Sequence, residues 1–229
     1  MSDITGYRKA IEYVRDLIAS GEYSIGDRLP SERAISERLD ISRNSTREAL
    51  RILEHAGVIG SKHGSGNYIT GEMTKGLSSV FEMMLLLQQT DKEEIYDFRC
   101  RMEMFVCRMI IEKGIDDLSE VGKAAKEARD APPERRAECD YKFHYELIKA
   151  SGSGLVILIM TCISEMYSKW IEDVIKMAPP EWEKRFNDCH IRIYRNLLTK
   201  NIRECMAAVQ EHYNLIEMTI KKSKSDEEN

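Results

Sequence analysis

The stretch from Leu29 to Ile69 constrains the fold most, because its hydrophobic period changes partway along. Ser31 can cap a short helix in which Ala34, Ile35 and Leu39 recur at helical spacing, and Asp40-Ile41 then breaks the pattern. Ser42 can cap a second helix running to about Ala56, where Gly57 supplies a left-handed residue to end it. Thr46, Ala49, Leu50 and Leu53 form its apolar stripe. Two β-prone runs follow, Val58 to Ser61 and Asn67 to Thr70, on either side of the turn His63-Gly64-Ser65-Gly66, which reads as a hairpin. Two capped helices and a hairpin make a winged helix-turn-helix.

On the face beside that stripe, Arg43, Arg47 and Arg51 are spaced four apart, so three guanidinium groups project from one side of one helix. Such a row suits phosphates and guanine edges, since the planar fork donates two hydrogen bonds to either. The same row could also be a solvated face paired with Glu48 and Glu54. The hairpin that follows favours the nucleic-acid reading.

Charge confirms that this signal is local. The net charge is -5, yet residues 1–75 hold eleven Lys or Arg against eleven Asp or Glu, and the rest of the chain 23 against 28. Indiscriminate nucleic-acid binding by bulk charge is therefore excluded. With 229 residues and 42% hydrophobic content, the chain can form two ordinary domains. The six cysteines, at 100, 107, 139, 162, 189 and 205, form no Cys-x-x-Cys pair and read as reduced, buried thiols. The first residues lack the pattern of a signal peptide, and the longest apolar run, Met83 to Leu87, is far short of the roughly 20 residues a membrane helix needs. A cytoplasmic protein without membrane contact is expected.

In chain order, Tyr7 to Ser20 is a helix stopped by Gly21, and Ser24 to Pro30 a turn with a short extended piece, expected as a third strand beside the hairpin. The polar, glycine-flanked segment 71–76 carries the domain boundary. Residues 1–72 form the first domain, 73–78 a linker, 79–222 a helical domain and 223–229 a charged, disordered tail. The apolar stretch 79–89 is expected as a buried helix, with a dimer interface as the alternative. Helical patterns then run at about 92–113, 117–130, 134–151, 154–177, 181–199 and 201–222, so the fold class is mainly α: a winged helix-turn-helix followed by an all-α bundle.

Three of the five histidines stand on apolar stripes of that bundle. Asp140 and His144 share the inner face of the 134–151 helix, His190 begins a stripe continued by Tyr194 and Leu197, and His212 lies on the stripe Cys205, Val209, Ile216. Three helices can thus aim four ligands at one point, a shell suited to a divalent transition ion such as zinc, nickel or manganese. The alternative is three satisfied core histidines with Asp140 paired to a lysine or arginine.

L-P-S-E-R at 29–33, S-R at 42–43, R-E-A-L-R at 47–51 and the glycine hairpin resemble the winged helix of the GntR family of bacterial transcription regulators. That resemblance implies DNA contacts at Arg33, Ser42, Arg43, Asn44 and Arg47, with Arg43 and Arg47 reading bases, and at His63 and Gly64 in a wing that enters the minor groove. Ala34 departs from the glutamate common there.

The second half resembles the FadR C-terminal (FCD) domain through D-F-R-C-R-M-E at 97–103, S-G-S-G at 151–154, Asp140-x-x-x-His144, and His190 and His212 separated by 22 residues. It departs at Ser153 and at Lys200-Asn201. The resemblance implies Asp140, His144, His190 and His212 as metal ligands, zinc first, with nickel or manganese next. It also implies a small carboxylate metabolite on the metal, completed by Arg99, although Arg99 and Glu103 could simply pair one turn apart. The function implied is a homodimeric, metabolite-responsive regulator, a repressor on a palindromic operator in double-stranded DNA. The alternatives are a metal-free FCD sensor of an acyl-CoA or a protein, and a helical metalloenzyme using Glu146 or Glu211 as base, which lacks the H-E-x-x-H motif.

Overall fold

The computed structural model describes residues 3–62 and 64–227 and divides between Val80 and Phe81 into two compact units. The first unit begins with α1 (Asp3–Ala19), whose Ala10, Val14 and Leu17 are buried. In α2 (Glu32–Leu39) the Ser31 hydroxyl accepts from Ala34 N at 3.2 Å, and in α3 (Arg43–His55) the Ser42 hydroxyl accepts from Ser45 N at 3.0 Å. These caps satisfy amides that a helix start leaves open. Thr46, Ala49, Leu50 and Leu53 turn inward from α3 onto Ile35 and Val14, so the expected stripe is the core of this unit.

β1 (Ile59–Lys62) and β2 (Gly66–Ile69) form the antiparallel hairpin, with Ile59 opposite Ile69 and Lys62 opposite Gly66. The expected third strand is reduced to one bridge, Arg28 to Tyr68, with Leu29 N donating to Asn67 O at 2.9 Å. Pro30 has no amide hydrogen to continue the ladder, so the extended piece ends there.

The chain turns from α3 into β1 at Gly57, whose φ is +73°, and a Cβ built there would lie 2.0 Å from the Glu72 carbonyl oxygen. Gly57→Ala combines a left-handed alanine with a backbone clash and should lower the stability of this unit by about 2–4 kcal/mol in urea unfolding followed by circular dichroism. Gly21→Ala is the control: its φ is +76°, but nothing lies within 4 Å of the new atom, so only the conformational cost should appear.

The expected linker at 73–78 is instead the start of α4 (Thr74–Leu86). Gly76, read in sequence as a breaker, allows the helix backbone to pass close to Ala56, whose Cα lies 3.0 Å from where a Cβ would stand. The stretch 79–89 is not buried as expected. Phe81 and Leu85 pack on Ile95, Ile163 and Tyr167, whereas Val80, Met83, Leu86 and Leu87 are exposed.

The second unit continues with α5 (Lys92–Glu112), α6 (Ser119–Arg129), a 3-10 turn at Pro133–Arg135, α7 (Arg136–Ala150), α8 (Gly154–Met177), α9 (Pro180–Leu198) and α10 (Ile202–Glu227). Helix α10 thus continues past residue 222, where the domain was expected to end, and residues 228 and 229 lie outside the described residues. The core gathers Val106 and Ile110 of α5, Val121 and Ala125 of α6, Phe143 and Leu147 of α7, Ile193 of α9 and Val209 of α10. All six cysteines are buried free thiols, as expected. No single helix among the described residues is long and apolar enough to cross a membrane.

Candidate functional site

Helices α7, α9 and α10 bring Asp140, His144, His190 and His212 together inside the second unit. One ligand atom from each lies within 4.8 Å of all the others, and the four residues are 9%, 3%, 1% and 1% exposed. His144 Nε2 is 3.0 Å from His212 Nε2. Asp140 Oδ1 is 3.2 Å from His190 Nε2, 3.6 Å from His144 Nε2 and 3.9 Å from His212 Nε2. An ion held at ~2.1 Å by such donors requires donor-to-donor edges of roughly 3.0–3.4 Å, so these atoms need only small shifts to close on one. His190 Nδ1 and His212 Nδ1, on the far side of each ring from Asp140, are buried without hydrogen-bond partners. The donor set therefore fits a divalent transition ion.

Electrostatics prepare three of these donors and charge the fourth. Burial works against the His144 imidazolium, but Glu103 and Asp140 outweigh it and push its pKa up to about 9, so His144 must give up a proton to ligate. Burial works against the Asp140 carboxylate, but His144 and His190 beside it outweigh that and hold its pKa well below the usual range. Burial pushes His190 down, with Asp140 offsetting part of the effect, and burial together with neighbouring His144 pushes His212 well down. Both present neutral rings, the form a metal needs.

Glu103 of α5 completes the arrangement and is fully buried. His144 Nδ1 lies 2.8 Å from its Oε2, and because a carboxylate only accepts, Nδ1 carries the proton and Nε2 faces Asp140 and His212. Tyr213 donates to Glu103 Oε1 at 2.6 Å, and Arg99 Nη2 stands 3.7 Å from the same oxygen. In sequence Glu103 reads only as a partner for Arg99. The available signal is a carboxylate on the apolar stripe of Ile95, Val106 and Ile110. Glu103→Leu should weaken zinc affinity by about 10–100-fold in chelator competition, and Glu103→Gln, which can still accept from Nδ1, by less.

Asp140 also lines a cavity of about 660 Å³ between α5, α7 and α8, together with Arg99, Tyr141 and Ser164. Arg99 is 7% exposed, and its Nε has no hydrogen-bond partner. Arg99 thus pairs with Glu103 and is one of the residues lining the cavity.

In the first unit, Ser42, Arg43 and Asn44 are exposed at the start of α3, where open amides and the helix dipole favour an anion. Arg47 reaches back to Glu32 at 2.7 Å and lines a cleft between α3 and the hairpin with Arg51 and Gly64. Arg28 and Lys62 line the same cleft and were missed, since Arg28 lies outside the arginine row and Lys62 inside a short strand. Arg33 is exposed on α2 and pairs with Glu37 at 2.7 Å. His63 lies outside the described residues.

Residues 6–69 match the family model described as "Bacterial regulatory proteins, gntR family", and residues 94–215 match the FCD domain. The chain is 28% identical to the HTH-type transcriptional regulator LutR of Bacillus subtilis (strain 168), over 88% of this chain and 94% of that protein. It is 23% identical to the Glc operon transcriptional activator of Escherichia coli (strain K12), over 94% of this chain and 87% of that protein. Among solved structures, Streptococcus agalactiae GntR superposes with a TM-score of 0.70 at 22% identity, over 95% of this chain and 99% of that one, a likeness of fold.

Proposed function

The chain belongs to the GntR family of bacterial transcription regulators and carries an FCD domain, and from that premise we propose that it couples operator binding to a small organic acid held beside a metal. The observation that carries this reading is the convergence of Asp140, His144, His190 and His212, with Asp140 also lining a cavity that Arg99 lines. Asp140 and the three histidines would hold the ion, with zinc the first candidate and nickel or manganese next. When bound, the ion supplies a Lewis-acidic anchor for a carboxylate. Arg99 would orient that carboxylate, Glu103 would keep His144 in the ligating tautomer, and the surrounding helices would exclude water.

For DNA, Arg43 and Arg47 are proposed as base readers, Arg33, Ser42 and Asn44 as supporting contacts, and His63 with Gly64 as the wing tip. A homodimer is supported by the exposed apolar residues Val80, Met83, Leu86 and Leu87, and it would demand an operator with two-fold symmetry. The protein would act in the cytoplasm. Its matched relatives include an operon activator, so the sign of control depends on where an operator lies relative to its promoter; repression is the reading adopted.

Selection of tight-binding duplexes from a random pool, followed by operator titrations with and without small carboxylates, tests this. The selected sequence should be palindromic, and at least one carboxylate should shift operator affinity by about 5–150-fold on metal-loaded protein. Operator affinity independent of every carboxylate that binds would sink the coupling.

A further inference from the structure

The cleft between α3 and the hairpin carries charge that the arginine row of α3 does not account for. Four cations line it, Arg28, Arg47, Arg51 and Lys62, against the carboxylates of Glu32 and Glu54. Glu32 is taken by Arg47 at 2.7 Å, and Glu54 accepts from Ser61 N at 3.2 Å. Glu54 alone among the lining carboxylates is thus left against Arg28, Arg51 and Lys62, none of which is ion-paired among the described residues. Two of these three cations are seated by the hairpin. The Arg28 guanidinium lies against Gly66, where a Cβ would stand 3.1 Å from Nε and 3.4 Å from Nη2, and the Arg28 backbone bridges to Tyr68. Lys62 Nζ stands 4.7 Å from the centre of the Tyr68 ring, and the Tyr68 hydroxyl is 2.6 Å from Ser65 Oγ. A ring face or a glycine positions a cation without neutralising it.

Their place decides what they can touch. With Arg43 and Arg47 on base edges of the major groove and the wing tip in the minor groove beside it, the sugar-phosphate strand separating those two grooves must cross the gap between α3 and the hairpin. That gap is this cleft. Arg51 also stands eight residues beyond Arg43, about 12 Å along the helix axis, whereas residues near the start of a recognition helix reach the bases. On the DNA-binding reading above, on which this rests, we infer that Arg28, Arg51 and Lys62 clamp the phosphates of that strand. They set how tightly the protein holds any duplex, and Arg51 reads no base although it continues the row of Arg43 and Arg47. A phosphate holds either a guanidinium or an ammonium, whereas a bidentate base contact needs the fork of the guanidinium.

The test uses the full-length protein, the operator obtained by duplex selection and a scrambled duplex of equal length, titrated by fluorescence anisotropy across a salt series. Arg28→Gln, Arg51→Gln and Lys62→Gln should each weaken both duplexes by the same factor. Each should also lower the slope of log affinity against log salt by about one, and the triple variant by about three. Arg28→Lys and Arg51→Lys should retain the wild-type affinity and slope, and they keep the test decisive where glutamine loosens the hairpin. A variant that weakens the operator more than the scrambled duplex, or a loss that lysine does not restore, would show base or minor-groove reading and overturn the clamp. An unchanged slope in all three glutamine variants overturns it as well. The reading beneath it fails by a different result, wild-type protein that binds no selected duplex more tightly than its scramble, and the clamp then falls with it.

Discussion

His212→Ala should reduce the zinc content of purified protein from about one equivalent per protomer to near none, measured by elemental analysis without chelator in the buffers. The expectation follows from the donors' count and burial. Four protein ligands converge, His212 Nε2 stands 3.0 Å from His144 Nε2, and His212 is 1% exposed, so no neighbouring side chain can swing in from solvent to replace it. Asp140→Ala should behave alike and additionally leave the His144 imidazole without one of its two carboxylate partners. His55→Ala is the control: its ring bonds the Arg51 carbonyl at 2.8 Å on exposed α3, and removing it should leave metal content unchanged. Melting temperatures separate loss of ligand from loss of fold, because a bound ion stabilises the native state by mass action and its loss should bring the variants to the level of chelator-treated wild type. Wild-type protein that neither carries metal nor takes up zinc, nickel or manganese would return the four residues to ordinary core roles.

The parts legible in the sequence were those written in short-range signals. Ser31 and Ser42 announce helix starts through hydroxyls that bond amides three residues on, and the α3 stripe announces its buried face by period alone. Asp140, His144, His190 and His212 were legible because polar residues on apolar stripes require an explanation. What was missed depends on partners distant in sequence. Gly76 reads as a break until the Ala56 backbone is seen beside it, and then it is what lets α4 begin early. Glu103 reads as one half of a helix-surface pair until His144, 41 positions away, is found on its carboxylate. The exposure of Val80, Met83, Leu86 and Leu87 has the same origin, because composition marks a segment as apolar without saying what covers it.

Arg43→Ala and Arg47→Ala should each weaken operator binding by about 1–3 kcal/mol, roughly 5–150-fold, while leaving the winged helix folded. Neither side chain supports the core. Arg43 is exposed, and the Arg47–Glu32 pair, with side chains 51% and 31% exposed, is worth about 0–1 kcal/mol to the free protein. That pair holds Arg47 over the cleft shared with Gly64 and Arg51, and DNA must take the guanidinium from Glu32. A guanine edge can do so because it accepts both fork hydrogens, as the carboxylate does. Salt dependence separates base reading from phosphate binding. If the arginines read bases, the loss will be larger on the operator than on a scrambled duplex, and tolerance for substitution will rise at one operator position per half-site. If they only grip phosphates, operator and scrambled duplex will weaken alike, and the slope of log affinity against log salt will fall by about one for each phosphate that the variant no longer neutralises. Equal losses on both duplexes would therefore move base reading away from Arg43 and Arg47, with Arg28, Arg51 and Lys62 of the same cleft the next residues to substitute.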